Sequence, residues 1–161
     1  MFIRSFALAG LSTLALSTAA LADIEIRDAY ARSAGAMAMA GAAFMEIVNT
    51  GDENDQLIAA RAGISKRVEL HTHIAGADGV MKMREVEGGF TIPAHGSHML
   101  QRGGDHVMFM GLTESMDQGK VIPVTLVFEK AGEITVDITV DLERHDQMMH
   151  GQMGGQQKMG N

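Results

Sequence analysis

Three short stretches of this 161-residue sequence place histidine or methionine at every second position: His71 and His73, Met81 and Met83, and His106 with Met108 and Met110. Side chains at i and i+2 of a β-strand point the same way. Each stretch, if extended, would present its nitrogens and sulfurs on one face. Val68 and Leu70 would then take the other face of the first stretch, and Val107 and Phe109 that of the third. Imidazole nitrogen and thioether sulfur share one chemistry, the donation of a lone pair to a metal ion. A single strand histidine is usually a surface residue, and a single methionine usually fills core space. Three same-face pairs on three strands are hard to reach by either route.

The link Ala75-Gly76-Ala77-Asp78-Gly79 between the first two stretches is rich in turn residues and suits a hairpin. A hairpin centred on Ala77 sets His71 opposite Met83 and His73 opposite Met81. Directly opposed side chains lie about 5 Å apart at Cβ, so both can reach one ion. A third strand carrying His106 and Met108 alongside would complete a set of four donors. Donor type then selects the metal. Thioethers are soft, uncharged and selective for Cu(I), whereas imidazole serves several metals. Zinc is held more commonly by Cys, His and carboxylate. Blue-copper electron transfer needs a thiolate, and the sequence has no cysteine. Copper, chiefly Cu(I), is the expected ion.

Methionine is abundant, 14 residues in all, and core filling does not account for those that gather with histidine or lie in a polar segment. His145, Met148, Met149, His150, Met153 and Met159 fall in a C-terminal stretch of Gln, Gly, Met and His without periodicity, a composition that suggests weaker, secondary metal binding. Its histidines suit Cu(II). His95, His98 and Met99 form a further group, read as surface residues or as a landing point for a second ion. Met37 and Met39 lie in a Gly/Ala-rich stretch, read as a loop expected to pack on the domain or as a third, weak metal contact.

The elements that must position these residues are short strands. Ile24–Arg27, Phe44–Val48, Gln56–Ala60, Val68–Ile74, Val80–Val86, Met99–Gln101, His106–Leu112, Val121–Glu129 and Ile134–Leu142 are separated by turn residues, and Ile134–Asp141 alternates as a strand with one buried face should. No sustained 3.6-residue period competes with them. Many short strands at this spacing imply an all-β sandwich or barrel.

Residues 1–22 read as a cleaved secretory signal peptide: Arg4, the apolar run Phe6–Leu16 and Ala20-Leu21-Ala22. Residues 23–143 form the expected domain and residues 144–161 a flexible tail. The expected location is periplasmic, with no membrane span in the mature protein. Removing a segment with one arginine and no acid takes the formal charge from −7 to −8. An acidic chain with one Tyr and no Trp offers nucleic acid neither a basic groove nor a stacking platform. Without disulfides the domain must rely on core burial, which about 120 residues can supply. No nucleophile–base set is visible, so an enzyme is not expected.

The spacing and flanks resemble the PCuAC family of periplasmic copper chaperones, whose mark is a His, a Met about a dozen residues on, and a His-x-Met. Here eleven residues separate His71 from Met83, and twenty-two separate Met83 from His106-Val107-Met108. Val68-Glu69-Leu70-His71, Gly79-Val80-Met81-Lys82-Met83-Arg84 and His106-Val107-Met108-Phe109-Met110-Gly111-Leu112 also look like the family, and the similarity runs from about Ile24 to Leu142. The resemblance implies a cupredoxin-like, immunoglobulin-like Greek-key β-sandwich with a solvent-near Cu(I) site. Its ligands carry over to His71, Met83, His106 and Met108, with His73, Met81 and Met110 as auxiliary candidates. It also implies copper delivery to the CuA site of cytochrome c oxidase subunit II, beside Sco-type proteins, and a tail that takes Cu(II). Where the family often has a Met after the first His, this chain has Thr72, and any role of that Met passes to His73 or is absent. Two other readings stand beside the chaperone: a periplasmic copper buffer or storage protein, and a metal-free adhesion-like sandwich.

Overall fold

Period-two alternation becomes ten strands in the computed structural model, which describes residues 23–35, 37–76 and 79–144. They are β1 (Ile24–Ser33), β2 (Ala40–Asn49), β3 (Asp55–Ala62), β4 (Ser65–Ala75), β5 (Met81–Glu85), β6 (Phe90–Ile92), β7 (Gly96–Leu100), β8 (His106–Leu112), β9 (Val121–Phe128) and β10 (Gly132–Val140). All nine expected strands are present, most of them longer than expected. β6 is additional; at three residues it is too short to show a period. β1 runs on past Arg27 through a bulge before Tyr30, where Asp28 adopts a left-handed φ of 50°. Asp tolerates that conformation better than most residues.

The strands follow one another in the order β5-β4-β8-β2-β1-β10-β9-β3-β6, with β7 attached to β2. Only β1 and β10 run parallel, with Tyr30 beside Thr139 and Ala31 beside Val140; the other pairs are antiparallel. The non-sequential order is that of a Greek-key sandwich rather than a meander. Met45, Ile47, Leu57, Ile92, Leu100, Val107, Phe109, Leu126 and Ile138 fill the interior. Each sits on a strand whose alternate residues face outward, so apolar burial selects which face turns in.

Polar stitches close the ends. The Asp55 carboxylate, 6% exposed, accepts backbone N–H groups of Gln56, Lys130 and Ala131 at 2.7 to 2.9 Å, which ties the start of β3 to the β9–β10 turn. Gly89 enters β6 at a φ of 73°, directly over the Leu57 carbonyl, where only a residue without Cβ fits. Met37 and Met39 do not pack on the sandwich as expected; they are 93% and 69% exposed. The short β1–β2 connection that carries them spans two strands already paired with each other, and it has no core surface to cover. Among the described residues no helix is long and apolar enough to cross a membrane.

Candidate metal centre

β2 has two successive partners along one edge. β7 takes the half from Met45 to Asn49 and β8 takes Ala40 to Ala43. The chain between β7 and β8 turns at Gln101–Asp105, closed by Gln101 N–H to Asp105 O at 2.8 Å and Gly104 N–H to Gln101 O at 3.0 Å. His106 is the first residue after this handover. β8 then runs between β2 and β4, and β4 between β8 and β5, so the three donor-bearing strands are neighbours.

The β4–β8 register sets His71 opposite His106, Glu69 opposite Met108 and Arg67 opposite Met110. On the other side of β4 the expected hairpin register is corrected. Met83 faces His73, not His71, which faces Glu85, and Met81 faces Ala75. The turn closes with Gly76 N–H on the Val80 carbonyl, and Gly79 takes a φ of 76°, so both Gly76 and Val80 belong to the turn. The slip is two residues. It keeps the donors on one face and moves Met83 along it, diagonal to His71 rather than opposite.

The alternation of faces holds. Leu70, Val107 and Phe109 are 4%, 0% and 0% exposed in the core, while Met108 and Met110 are half-buried on the outer side. His106 is the exception in burial, at 2%. It lies on the outer face but under its neighbours: ring centroids are 5.1 Å to His73, 5.9 Å to His71 and 6.1 Å to Phe44. Burial pushes the His106 imidazole below its ordinary pKa, against the bond to Gly104, and repulsion from His73 and His71 adds to the depression. The ring is therefore neutral at neutral pH, the form that donates a lone pair to a metal.

Hydrogen bonds fix which nitrogens are free. His73 and His106 both donate Nδ1–H to the Gly104 carbonyl, at 3.2 and 3.0 Å, which leaves Nε2 as the acceptor on each. His71 is the reverse: its Nε2 lies 2.8 Å from Glu69 Oε2. His71 Nδ1 is buried and has no hydrogen-bond partner. An orphaned buried acceptor is rare and asks for an explanation; a role as a metal ligand is one that fits.

His73 is thus more central than the sequence suggested, opposite Met83 and against His106. The other auxiliary candidates are less so. Met81 is 53% exposed at the far end of β5, and the Met110 sulfur is 3.7 Å from the Arg67 guanidinium. Met83, at 49% exposure on the edge strand, is the outermost of the four principal candidates. Among the described residues no three His, Asp or Glu side chains gather closely enough to hold an ion by themselves. Met83 and Met108 add thioether sulfurs to the face that carries these histidines, donors that suit copper rather than zinc.

His95, His98 and Met99 lie apart. His98 pairs with Ile47 on the core-facing side of β7, stacks on Phe90 at 5.1 Å and reaches Asp105 at 2.8 Å. His95 bonds Asp52 at 2.8 Å, and Met99 is 49% exposed beside Glu46. The tail candidates His145, Met148, Met149, His150 and Met153 lie outside the described residues, as do residues 1–22. The last described residue, Arg144, stacks its guanidinium 4.1 Å over the Tyr30 ring and pairs with Asp28. Tyr30 lies 5.1 Å from Phe44, whose ring is in turn 6.1 Å from that of His106.

The family model for LpqE-like proteins, described as putative lipoproteins, matches residues 24–140. A protein of Leifsonia xyli subsp. xyli named "Putative lipoprotein Lxx21020" is 31% identical over 117 residues, which cover 73% of this chain and 69% of that protein. Among solved structures, the copper-bound PCuAC domain from PmoF2 aligns with a TM-score of 0.62 at 25% identity, over 76% of this chain and 95% of that domain. Apo-DR1885 from Deinococcus radiodurans aligns at 0.57 and 25% identity, over 87% of this chain and 94% of that one. The Cu(I) form of DR1885 aligns at 0.54 and 32% identity, over 71% and 77%. The fold is the cupredoxin-like sandwich of these PCuAC domains. The chain belongs to the LpqE-like family.

Proposed function

We propose that this member of the LpqE-like family is an exported copper carrier that holds one Cu(I) with His71, Met83, His106 and Met108, and that it is not an enzyme. The observation that carries the reading is the orphaned Nδ1 of His71, buried opposite a neutral His106 on a face flanked by Met83 and Met108. Those residues supply two imidazole nitrogens and two soft sulfurs, a donor set selective for Cu(I). Similarity to copper-bound PCuAC domains supports the same ion. His73, beside both Met83 and His106, is the auxiliary donor best placed to replace a thioether.

In this reading residues 1–22 are a cleaved signal peptide, the protein works in the periplasm, and residues 23–143 are the copper-binding sandwich domain. Residues 144–161 are the tail, whose His145, Met148, Met149, His150 and Met153 take a second ion as Cu(II). The acceptor is the CuA site of cytochrome c oxidase subunit II, with Sco-type proteins as companions. Half-exposed Met83 favours a carrier, because an ion held by an edge-strand thioether is open to attack by an incoming ligand.

X-ray absorption on the Cu(I)-loaded protein should show mixed nitrogen and sulfur neighbours. A shell of nitrogen and oxygen alone overturns the site. Transfer to an apo fragment of the oxidase subunit, faster than from a small-molecule Cu(I) chelate, supports a chaperone; a loaded protein that retains its copper before that acceptor is a buffer or storage protein instead.

A further inference from the structure

Glu69 stands two residues before His71 on the same face of β4, and the side chains are 13% and 12% exposed. Its two carboxylate oxygens have different work. Oε1 lies 2.7 Å from Arg67 Nε and Oε2 lies 2.8 Å from His71 Nε2. Arg67 therefore fixes the carboxylate, and the carboxylate fixes the ring. A carboxylate can only accept, so Nε2 carries the hydrogen and Nδ1 carries the lone pair. That lone pair is the buried, unpartnered one. His73 and His106 are held the other way round by the Gly104 carbonyl and offer Nε2. Were His71 to bind an ion through Nε2, its pair with Glu69 would have to break, leaving a carboxylate in a nearly closed position opposite Met108.

We propose that Glu69 is a positioning residue: it holds His71 in the tautomer that presents Nδ1, so that copper is taken by Nδ1 of His71 and by Nε2 of His106. The proposal rests on the copper reading above and on His71 as a ligand. A carboxylate behind a metal-bound imidazole orients the ring and raises its basicity, and removal of such a partner commonly costs 10- to 100-fold in metal affinity. Arg67 is the third member of the relay, and its own exposed guanidinium keeps the carboxylate oriented without closing the site.

The test is long-range proton–nitrogen NMR on the full-length protein near pH ~8, above the ordinary imidazole range. In the apo wild type His71 should appear as the Nε2–H tautomer, and on adding Cu(I) its Nδ1 resonance should move. Glu69→Leu should give mixed His71 tautomers and Cu(I) binding at least tenfold weaker, with the His106 tautomer unchanged. Glu69→Gln keeps a carbonyl acceptor in the same place and should recover part of both losses. An Nδ1–H tautomer in the wild type, a copper-induced shift at Nε2, or Glu69→Leu with unaltered tautomer and affinity each overturns the proposal. Failure of the underlying reading looks different: the apo tautomer is as expected, but no His71 or His106 resonance responds to Cu(I), and the role of Glu69 toward copper falls with it.

Discussion

Adjacent residues of β8 should separate stability from copper affinity. Val107 is fully buried among core residues, and its neighbour Met108 is half-buried on the outer face opposite Glu69. Val107→Ala deletes two methyl-sized groups, about 0.8 kcal/mol of transfer free energy each. The space left among packed neighbours raises the cost to about 2–3 kcal/mol. For a domain of this size that is a fall in apo melting temperature of roughly 10 °C. Met108→Leu nearly conserves volume, costs under about 1.5 kcal/mol, and replaces the sulfur by carbon. Its Cu(I) affinity should fall at least tenfold, about 1.4 kcal/mol, while that of Val107→Ala stays within a few-fold of wild type. Melting followed by circular dichroism and competition with a Cu(I) chelator read the two effects. Full Cu(I) affinity in Met108→Leu, or a loss in Val107→Ala equal to that in Met108→Leu, would refute the assignment of the outer face.

Gly89→Ala should destabilise the apo protein by at least about 2 kcal/mol, since a left-handed residue with a Cβ costs about 1–2 kcal/mol by itself and here also strikes the Leu57 backbone; an unfolding curve in urea within ~0.5 kcal/mol of wild type would contradict this. The pKa of His106 is depressed in the fold, so below an unfolded value of about 6.5 the unfolded chain takes up a proton that the folded one refuses. Apo stability should therefore fall as pH drops from about 6.5, and the melting temperatures at pH ~7.5 and ~5.5 should differ less in His106→Gln than in wild type; equal differences would count against the burial effect. Truncation after Arg144 should leave one Cu(I) bound at nearly full affinity and remove most Cu(II) binding, because ligands spaced along a Gly- and Gln-rich sequence must lose conformational entropy to gather around an ion, whereas the strand ligands are already in place. Full Cu(II) stoichiometry in the truncated protein, or loss of its Cu(I), would contradict that division.

The strands were legible because their alternation is forced by burial: Val107 and Phe109 inside, Met108 and Met110 outside, with no other arrangement of that segment able to hide its apolar half. The register of the β4–β5 hairpin was not. Gly76 and Gly79 both suit a turn, and choosing between centres two residues apart requires knowing which carbonyl Val80 offers to which N–H. That choice brought His73 to Met83. His98 carried no mark separating it from the site histidines; only its pairing with Ile47 shows that it faces inward. The Glu69–His71 pair follows strand spacing and was visible in principle, as two polar residues two apart on the face already singled out. Its meaning depends on Nδ1 having no partner, which only three-dimensional packing reveals.

β5 has a single neighbour in the sheet, and all five of its residues are exposed. Its amides should therefore exchange hydrogen early, through local openings far less costly than global unfolding. β4 and β8, each flanked on both sides, open later. The imidazoles are thus mounted on the slow part of the molecule and the outer thioether on the fast part. An ion bound between them would be released at a rate set by the fraying of one short strand, and that rate can be tuned by β5 side chains without touching the stability of the sandwich.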